Sequence, residues 1–308
     1  MRRVSVVFAI AALWSVAAPA QTVNDGIMLA KGTLFAGQIY THNDWTEYWE
    51  GELRRTNGNI GTLTTQSNQW FGNYGLTNRL NVMGSVPYVW TRASQGVLHE
   101  MHGVQDLTLA GKYSFWEVPA SPIGSIKAIG VLSAGLPLTD YSPDFQPLSI
   151  GSGAKRVTAR GTFDVQTAPG WFVTATTSYT WRAHVTLDRP YYFTMGQLFF
   201  TDEVSMPDIA DLGVSSGYNK NGLKAEGTLH VQRTKGGGDM RRQDMPFVSN
   251  RMNFSTAGGM VMYEIPKTGG LTGMVSAAHT FEGRNVGLAT SISAGLMYRI
   301  RLFSQVTP

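Results

Sequence analysis

Two imidazoles and a carboxylate stand together at His99-Glu100-Met101-His102. Imidazole and carboxylate are zinc ligands. The spacing is not His-Glu-x-x-His, and no helix is predicted there to bring both rings to one face. The stretch reads as a solvated loop. Ser152-Gly153-Ala154-Lys155 has the Ser-x-x-Lys spacing of a serine nucleophile with a lysine base, and the same stretch faintly resembles a phosphate loop. Both motifs need a helix starting there, whereas the sequence predicts a loop running into a strand. His279, paired with a serine on a lipid-facing wall, would make a phospholipase, but the sequence offers no serine to pair with it. It therefore predicts no enzyme, no metal and no cofactor.

The remaining charges follow a pattern. Asp106, Lys112, Lys127, Arg160, Asp164, Arg182, Lys224, Glu226, Arg299 and Arg301 fall on the polar side of segments that alternate with period two. They are expected to line a lumen. There they either form a slightly basic eyelet that selects solutes or pair across strands to fill a narrow barrel. The run "YYFTMGQLFF" is the chemical opposite. Tyr191, Tyr192, Phe199 and Phe200 lie in the longest predicted loop and could capture an apolar solute. The competing readings are strands that extend above the membrane, or a loop packed inward.

The elements that would position these residues are strands. Period-two segments are predicted at 33–46, 60–74, 80–91, 104–117, 124–137, 157–167, 171–185, 209–218, 223–234, 251–264, 271–282 and 287–302. Val173, Ala175, Thr177, Tyr179 and Trp181 oppose Thr174, Thr176, Ser178, Thr180 and Arg182. Leu223, Ala225, Gly227, Leu229 and Val231 oppose Lys224, Glu226, Thr228, His230 and Gln232. The first and eleventh segments alternate too poorly for their faces to be assigned. Short connections with turn residues, such as Pro169-Gly170 and Asn219-Lys220-Asn221-Gly222, alternate with long loops; 283–286 is a short link where a long one is expected. Tyr88 and Trp90, and Tyr179 and Trp181, fall at one end of their segments. Tyr113, Phe115, Trp171, Tyr218, Tyr263 and Tyr298 fall at the other end, giving two aromatic belts. In hydrocarbon every backbone amide must be paired, so such a sheet has to close. Pro87 removes one donor from the third strand, near an end where a bulge is tolerable.

The chain has 308 residues, 35 glycines, no cysteine and 15% charged residues, with mean hydropathy −0.11. Arg2 and Arg3, the apolar run Val4–Ala12 and Ala18-Pro19-Ala20 form a cleavable export signal ending at residue 20. Its removal leaves 23 basic and 21 acidic residues, a net charge too small to imply a nucleic-acid partner.

Two stretches resemble a known family. "GLTNRLNVMGSVPYV" with "GVQDLTLAGKYSFWE" is similar to the signature of outer-membrane proteins named for the meta-pathway of phenol degradation, or described as transporters. "VLSAGLPLTD" resembles that family's next strand end, and "FEGRNVGLATSISAGLMYRI" its C-terminal hairpin. Gln105-Asp106 replaces the family's Gly-Asp, Pro137-Leu138-Thr139-Asp140 replaces its Pro-Thr-Gly, and the chain runs on past Leu302 with Phe303 as the nearest terminal aromatic. The resemblance implies a barrel and, loosely, passage of aromatic or hydrophobic compounds.

The expectation is thus an all-β, transmembrane antiparallel barrel of about twelve strands with both termini periplasmic. Residues 1–20 are a signal peptide, 21–31 a periplasmic segment or plug, 32–303 the barrel and 304–308 a tail. The expected location is a Gram-negative outer membrane. The expected partners are outer-membrane lipid, the assembly machinery and small hydrophobic solutes. The expected function is a channel or transporter, with a surface-binding barrel of closed lumen as the alternative.

Overall fold

The computed structural model describes residues 21–120, 124–241 and 246–302. The predicted signal peptide and the residues from Phe303 onward lie outside these. Twelve long strands form the wall: β1 (Thr33–Trp45), β2 (Leu63–Gly75), β3 (Leu80–Ala93), β4 (Asp106–Ala120), β5 (Gly124–Pro137), β6 (Arg156–Thr167), β7 (Trp171–Arg182), β8 (Ile209–Lys220), β9 (Leu223–Thr234), β10 (Asn253–Glu264), β11 (Leu271–Arg284) and β12 (Thr290–Arg301). Each pairs antiparallel with its chain neighbours, and β1 pairs with β12 from Thr33↔Arg301 to Asp44↔Thr290. The ring of twelve strands is therefore closed, and among the described residues none of the twelve is an edge with unpaired amides in hydrocarbon. The predicted strand ends differ from the observed ones by at most three residues.

The two faces separate by solvent. On β3, Val82 and Trp90 point outward, while Asn81, Met83, Val89 and Thr91 are buried inward. On β4, Leu109 is 51% exposed outward while Lys112 is 0% exposed inward. This is the lipid-out, lumen-in alternation of a membrane barrel. Outward aromatics gather in two belts. Tyr88 with Trp90 and Tyr179 with Trp181 sit at the long-loop end, their rings 4.7 and 5.0 Å apart. Tyr113 with Phe115 and Trp171 with Tyr218 sit at the short-turn end, 5.0 and 5.5 Å apart. Ring edges favour the headgroup level, which fixes the barrel's height in the bilayer. An outer-membrane β-barrel is the architecture these features define.

Local chemistry explains the turns and breaks. β8 and β9 meet through Asn221 and Gly222 at φ of 56° and 80°, the type I′ geometry that suits a two-residue hairpin. At Pro87 the β3–β4 register shifts by one residue, from Ser85↔Thr108 to Tyr88↔Val104, and Gln105 N donates to Pro87 O at 3.0 Å. The missing proline donor thus falls where the ladder is already broken. Met101–Val104 continues alongside β3 beyond that break.

At the long-loop end three small hairpins add to the wall strands, the first of them bonded to the β11–β12 link by Trp49 N to Val286 O at 2.9 Å and Leu288 N to Glu47 O at 2.7 Å. They pair Glu47–Glu50 with Leu53–Thr56, Val185–Thr186 with Glu203–Val204, and Tyr192–Thr194 with Gln197–Phe199. The chain from 138 to 155 instead turns inward.

Candidate functional site

The lumen is occupied at its short-turn end by the chain that precedes β1. Gln21–Lys31 folds back inside the wall as a strap. The wall meets it with buried polar side chains. Lys112 Nζ donates to Thr22 O at 2.8 Å, to Asp25 O at 2.7 Å and to Asp25 Oδ1 at 2.7 Å. Asn73 Nδ2 donates to Gln21 O at 2.6 Å. Asn81 accepts from Leu29 N at 2.9 Å and from Gln21 Nε2 at 2.6 Å, and donates to Leu29 O at 3.0 Å. A buried lysine needs a counter-charge, and Lys112 finds it on the strap rather than across the barrel. Leu29 anchors the strap's base in a cluster with Phe35, Met262, Met274 and Met297, while Val23 and Met28 pack against Met83, Ile129 and Val131.

Apart from Arg301, the predicted lumen charges lie on the inward side of their strands, and most are paired. Asp106 is bonded by Arg156 and accepts from Tyr141 Oη at 2.6 Å. Lys127 meets Glu117 at 3.1 Å, Lys224 meets Glu226 at 3.0 Å and Arg299 meets Glu264 at 2.8 Å. Asp164 accepts from Thr174 Oγ1 at 2.5 Å. Arg160 reaches Ser178 Oγ at 3.4 Å, and Ser178 in turn donates to Asp211, which also holds His230 Nε2 at 3.1 Å. The aspartate lies between serine and histidine, so the serine bonds the carboxylate and not the imidazole. Arg160, Asp211, Glu226, Thr228 and His230 border a polar cavity of about 290 Å³. Arg182 lies at the long-loop end, its Nε donating to Pro207 O at 2.7 Å, and Arg301 is exposed at the opposite rim.

Across the lumen the lining changes character. Phe35, Ile39, Phe71, Met83, Met260, Met262, Met274 and Met297 line most of a second cavity of about 370 Å³, with Gln69, Asn73, Ser85 and Thr108 at its polar border and Gln21, Thr22 and Val23 as its floor. Thr22 and Met260 border both cavities. Sequence reasoning missed this apolar half. β10, β11, β12 and β1 carry apolar side chains on both faces there, so the contrast that marks a lumen side is lost. The inward methionines were the available signal, since an unbranched thioether suits an adaptable apolar surface.

At the long-loop end the 138–155 segment docks on the inner face of β3 and β4. Thr91 Oγ1 donates to Leu148 O and Gln105 Nε2 donates to Ile150 O, each at 2.5 Å. Burial, followed by the hydrogen bond to Asp106, pushes the Tyr141 hydroxyl above its ordinary pKa. The aromatic hairpin has two different faces. Tyr192 stacks on Phe199 and Phe247, both at 5.1 Å, in a buried cluster with Val185, Leu187, Val204 and Met206. Tyr191, Phe193, Leu198 and Phe200 are exposed, Phe200 at 83%. Below the hairpin Val185–Thr186 pairs with Glu203–Val204 just beyond the end of β7, so the loop partly continues its strand above the wall, while the hairpin itself packs against Phe247 of another loop. Of the four residues expected to capture solute, Tyr191 and Phe200 remain open to solvent, while Tyr192 and Phe199 hold the loops together.

The other motifs resolve simply. His102 lies on Met101–Val104 with its ring 6.3 Å from Tyr88, and His99 and Glu100 precede it without regular structure. Among the described residues no group of three or more histidines and carboxylates is placed to hold a metal. Ser152–Lys155 is irregular chain leading into β6, with Ala154 buried in the loop cluster. His279 faces outward, and its Nδ1 meets Thr290 Oγ1 at 2.9 Å, a threonine rather than a serine.

Among solved structures the chain is similar to an outer membrane channel from Pseudomonas putida F1, with a TM-score of 0.72 at 13% identity, covering 91% of this chain and 100% of that one. That likeness is one of fold. Looser matches include the translocator domain of the autotransporter NalP from Neisseria meningitidis, with a TM-score of 0.48 at 11% identity, covering 88% of this chain and 90% of that one. Another is a mutant of TodX, a monoaromatic hydrocarbon channel, with a TM-score of 0.47 at 10% identity, covering 89% and 91%. Comparison with curated protein sequences gave no match. The family model described as "Putative MetA-pathway of phenol degradation" matches residues 54–296, and the chain belongs to that family.

Proposed function

We propose that this protein is an outer-membrane channel that passes small hydrophobic or aromatic molecules. The observation that carries the reading is the apolar half of the lumen, where two phenylalanines, an isoleucine and five methionines line most of a cavity of about 370 Å³ that Gln69, Asn73, Ser85 and Thr108 also border. A purely aqueous pore has no use for such a lining, because buried apolar surface facing water costs about 25 cal/mol per Å². An aromatic solute would recover that cost. In this reading the long loops face outside, and the short turns and both termini face the periplasm. The exposed hairpin face of Tyr191, Phe193, Leu198 and Phe200 supplies a first apolar contact. The charges Asp106, Lys112, Lys127, Asp164, Lys224 and Glu226, together with Arg160, hold the other wall in shape and in water, and Arg299 with Glu264 does so at the short-turn end of the apolar side.

The test is uptake of naphthalene, followed by its fluorescence, into cells whose lipopolysaccharide leaflet is intact. Met262 and Met274 are cross-strand partners. Replacing both by asparagine is expected to lower protein-dependent uptake roughly tenfold, a difference of ~1.4 kcal/mol in passage. Uptake of a small sugar should not change. Naphthalene uptake equal to wild type in the double variant would remove the apolar path from the mechanism.

A second reading is a surface-binding barrel with a closed lumen. The strap at one end and the 138–155 segment at the other favour it. It requires that the refolded protein be electrically silent in a planar bilayer and that ligand binding depend on the loops.

A further inference from the structure

We infer that the first six residues of the strap, Gln21–Gly26, are a displaceable gate on the lumen, latched by Lys112. The inference rests on the channel reading and concerns what regulates that same path.

The strap has two parts with different physics. Its base, Ile27–Lys31, is tied to the wall. Leu29 is 1% exposed within the methionine cluster, Lys31 N donates to Asn78 Oδ1 at 2.9 Å, and Gly32 N donates to Gly75 O at 2.8 Å. The tip has one apolar contact, Val23 against the edge of the Met83, Ile129 and Val131 cluster, and is otherwise held by polar groups, among them Asn81, which accepts from Gln21 Nε2 at 2.6 Å. Lys112 Nζ takes two carbonyls and one carboxylate oxygen from it, and Asn73 takes the Gln21 carbonyl. These are groups that water can replace in a hydrated lumen, so the tip can leave without stranding a buried polar atom. An apolar anchor has no such substitute. The base should therefore stay while the tip moves.

The tip is also where closure matters. Thr22 borders both cavities, and Gln21 and Val23 floor the apolar one. A solute resting among the methionines would have to displace these residues to continue toward the short-turn end. Gly26 marks the junction between the two parts. A β-carbon there would lie 2.0 Å from Asp164 Cγ, so only glycine lets the strap lie flat against β6.

Two variants test the gate in the full-length refolded protein, one releasing the tip and one locking it. Gly26→Val leaves the wall untouched but has no room for its side chain. It should raise ion conductance in a planar bilayer and naphthalene uptake, by roughly tenfold where the closed state predominates. The lock is the pair Gly26→Cys with Asp164→Cys. The chain has no other cysteine. The two β-carbons would start 2.4 Å apart, so a shift of about 1–2 Å brings them to disulfide spacing. Oxidised, this protein should conduct at least about tenfold less than the same protein after reduction. Equal conductance and uptake in the oxidised and reduced states, in a protein that does transport, would overturn the gate and leave the channel standing. If wild type, Gly26→Val and the reduced pair all stay silent and pass no naphthalene, the channel reading falls and the gate falls with it.

Discussion

At the scale of single residues, Arg284 at the end of β11 and Asn285 beside it tie the loops together. Arg284 donates to Asp239 Oδ1 and Oδ2 at 2.8 and 2.6 Å, and to Glu52 at 2.7 Å. Asn285 accepts from Gly51 N at 2.8 Å and Met240 N at 3.0 Å, and donates to Asp239 and to Arg251 O. Three loops are tied at one point. The Gly-Arg-Asn run was legible in sequence as a tight link, but its purpose was not, because its partners lie 45 and 232 residues away. The bonds from Arg284 hold the Asp239 carboxyl at about 2, below its ordinary 3.8. A carboxylate depressed in the folded state contributes stability that is complete above its unfolded pKa and disappears as pH falls through the folded one. The clasp should therefore hold at every pH above about 4 and open on acidification toward pH 2. Limited proteolysis with pepsin should cut the 235–250 loop at pH 2 and not at pH 4. Asp239→Asn should make the same loop cleavable by a neutral protease at pH 7. Equal protection of wild type and variant at pH 7 would show that the clasp holds nothing.

At the scale of elements, legibility followed contrast. β7 and β9 alternate threonine, serine or charge against apolar residues, and their faces were assigned correctly. β1 and β11 resisted because Phe35, Ile39 and Met274 face the lumen while Tyr40, Val275 and Phe281 face lipid. With apolar groups on both sides, period two carries no sign. The path of the strap and of the 138–155 segment was equally hidden. Both enter the lumen through hydrogen bonds from Asn81, Lys112, Thr91 and Gln105, and no local pattern announces such contacts. β9 offers the sharpest test of the faces. Leu229 is 57% exposed on the outer wall, and its neighbour Thr228 borders the polar cavity beside Asp211 and Glu226. Leu229→Arg should cost ~2–4 kcal/mol near mid-membrane and block assembly. Thr228→Arg gains water and two carboxylates and should assemble normally. Comparable yields of folded barrel from the two variants, measured by heat-dependent gel mobility, would mean that the wall is turned inside out.

At the scale of the whole molecule, the twelve strands, the closed ring and the alternation of short and long connections were all legible, because hydrocarbon imposes them on any chain that crosses it as sheet. What fills the ring was not legible, because lumen contents obey no such rule. Closure itself makes a prediction. Inside the bilayer the backbone amides of β12 must find their acceptors on the neighbouring strands, and the seam with β1 joins residues more than 240 positions apart. Folding therefore depends on a long-range pairing that has to form completely. Pro87 is tolerated only because the ladder beside it is already offset by one residue. Ala294 sits in an unbroken stretch, opposite Tyr40 on one side and Val275 on the other. Ala294→Pro would leave a carbonyl without its donor inside the bilayer, at a cost of several kcal/mol. Ala294→Val adds only lipid-facing bulk with good strand preference and serves as the control. Unheated wild type and Ala294→Val should migrate in SDS gels apart from their boiled forms, because a closed barrel resists the detergent. Ala294→Pro should migrate alike with and without boiling. A heat-dependent shift retained by the proline variant would show that β12 is not sealed to its neighbours in the membrane, and the closed-ring account of the fold would have to be given up.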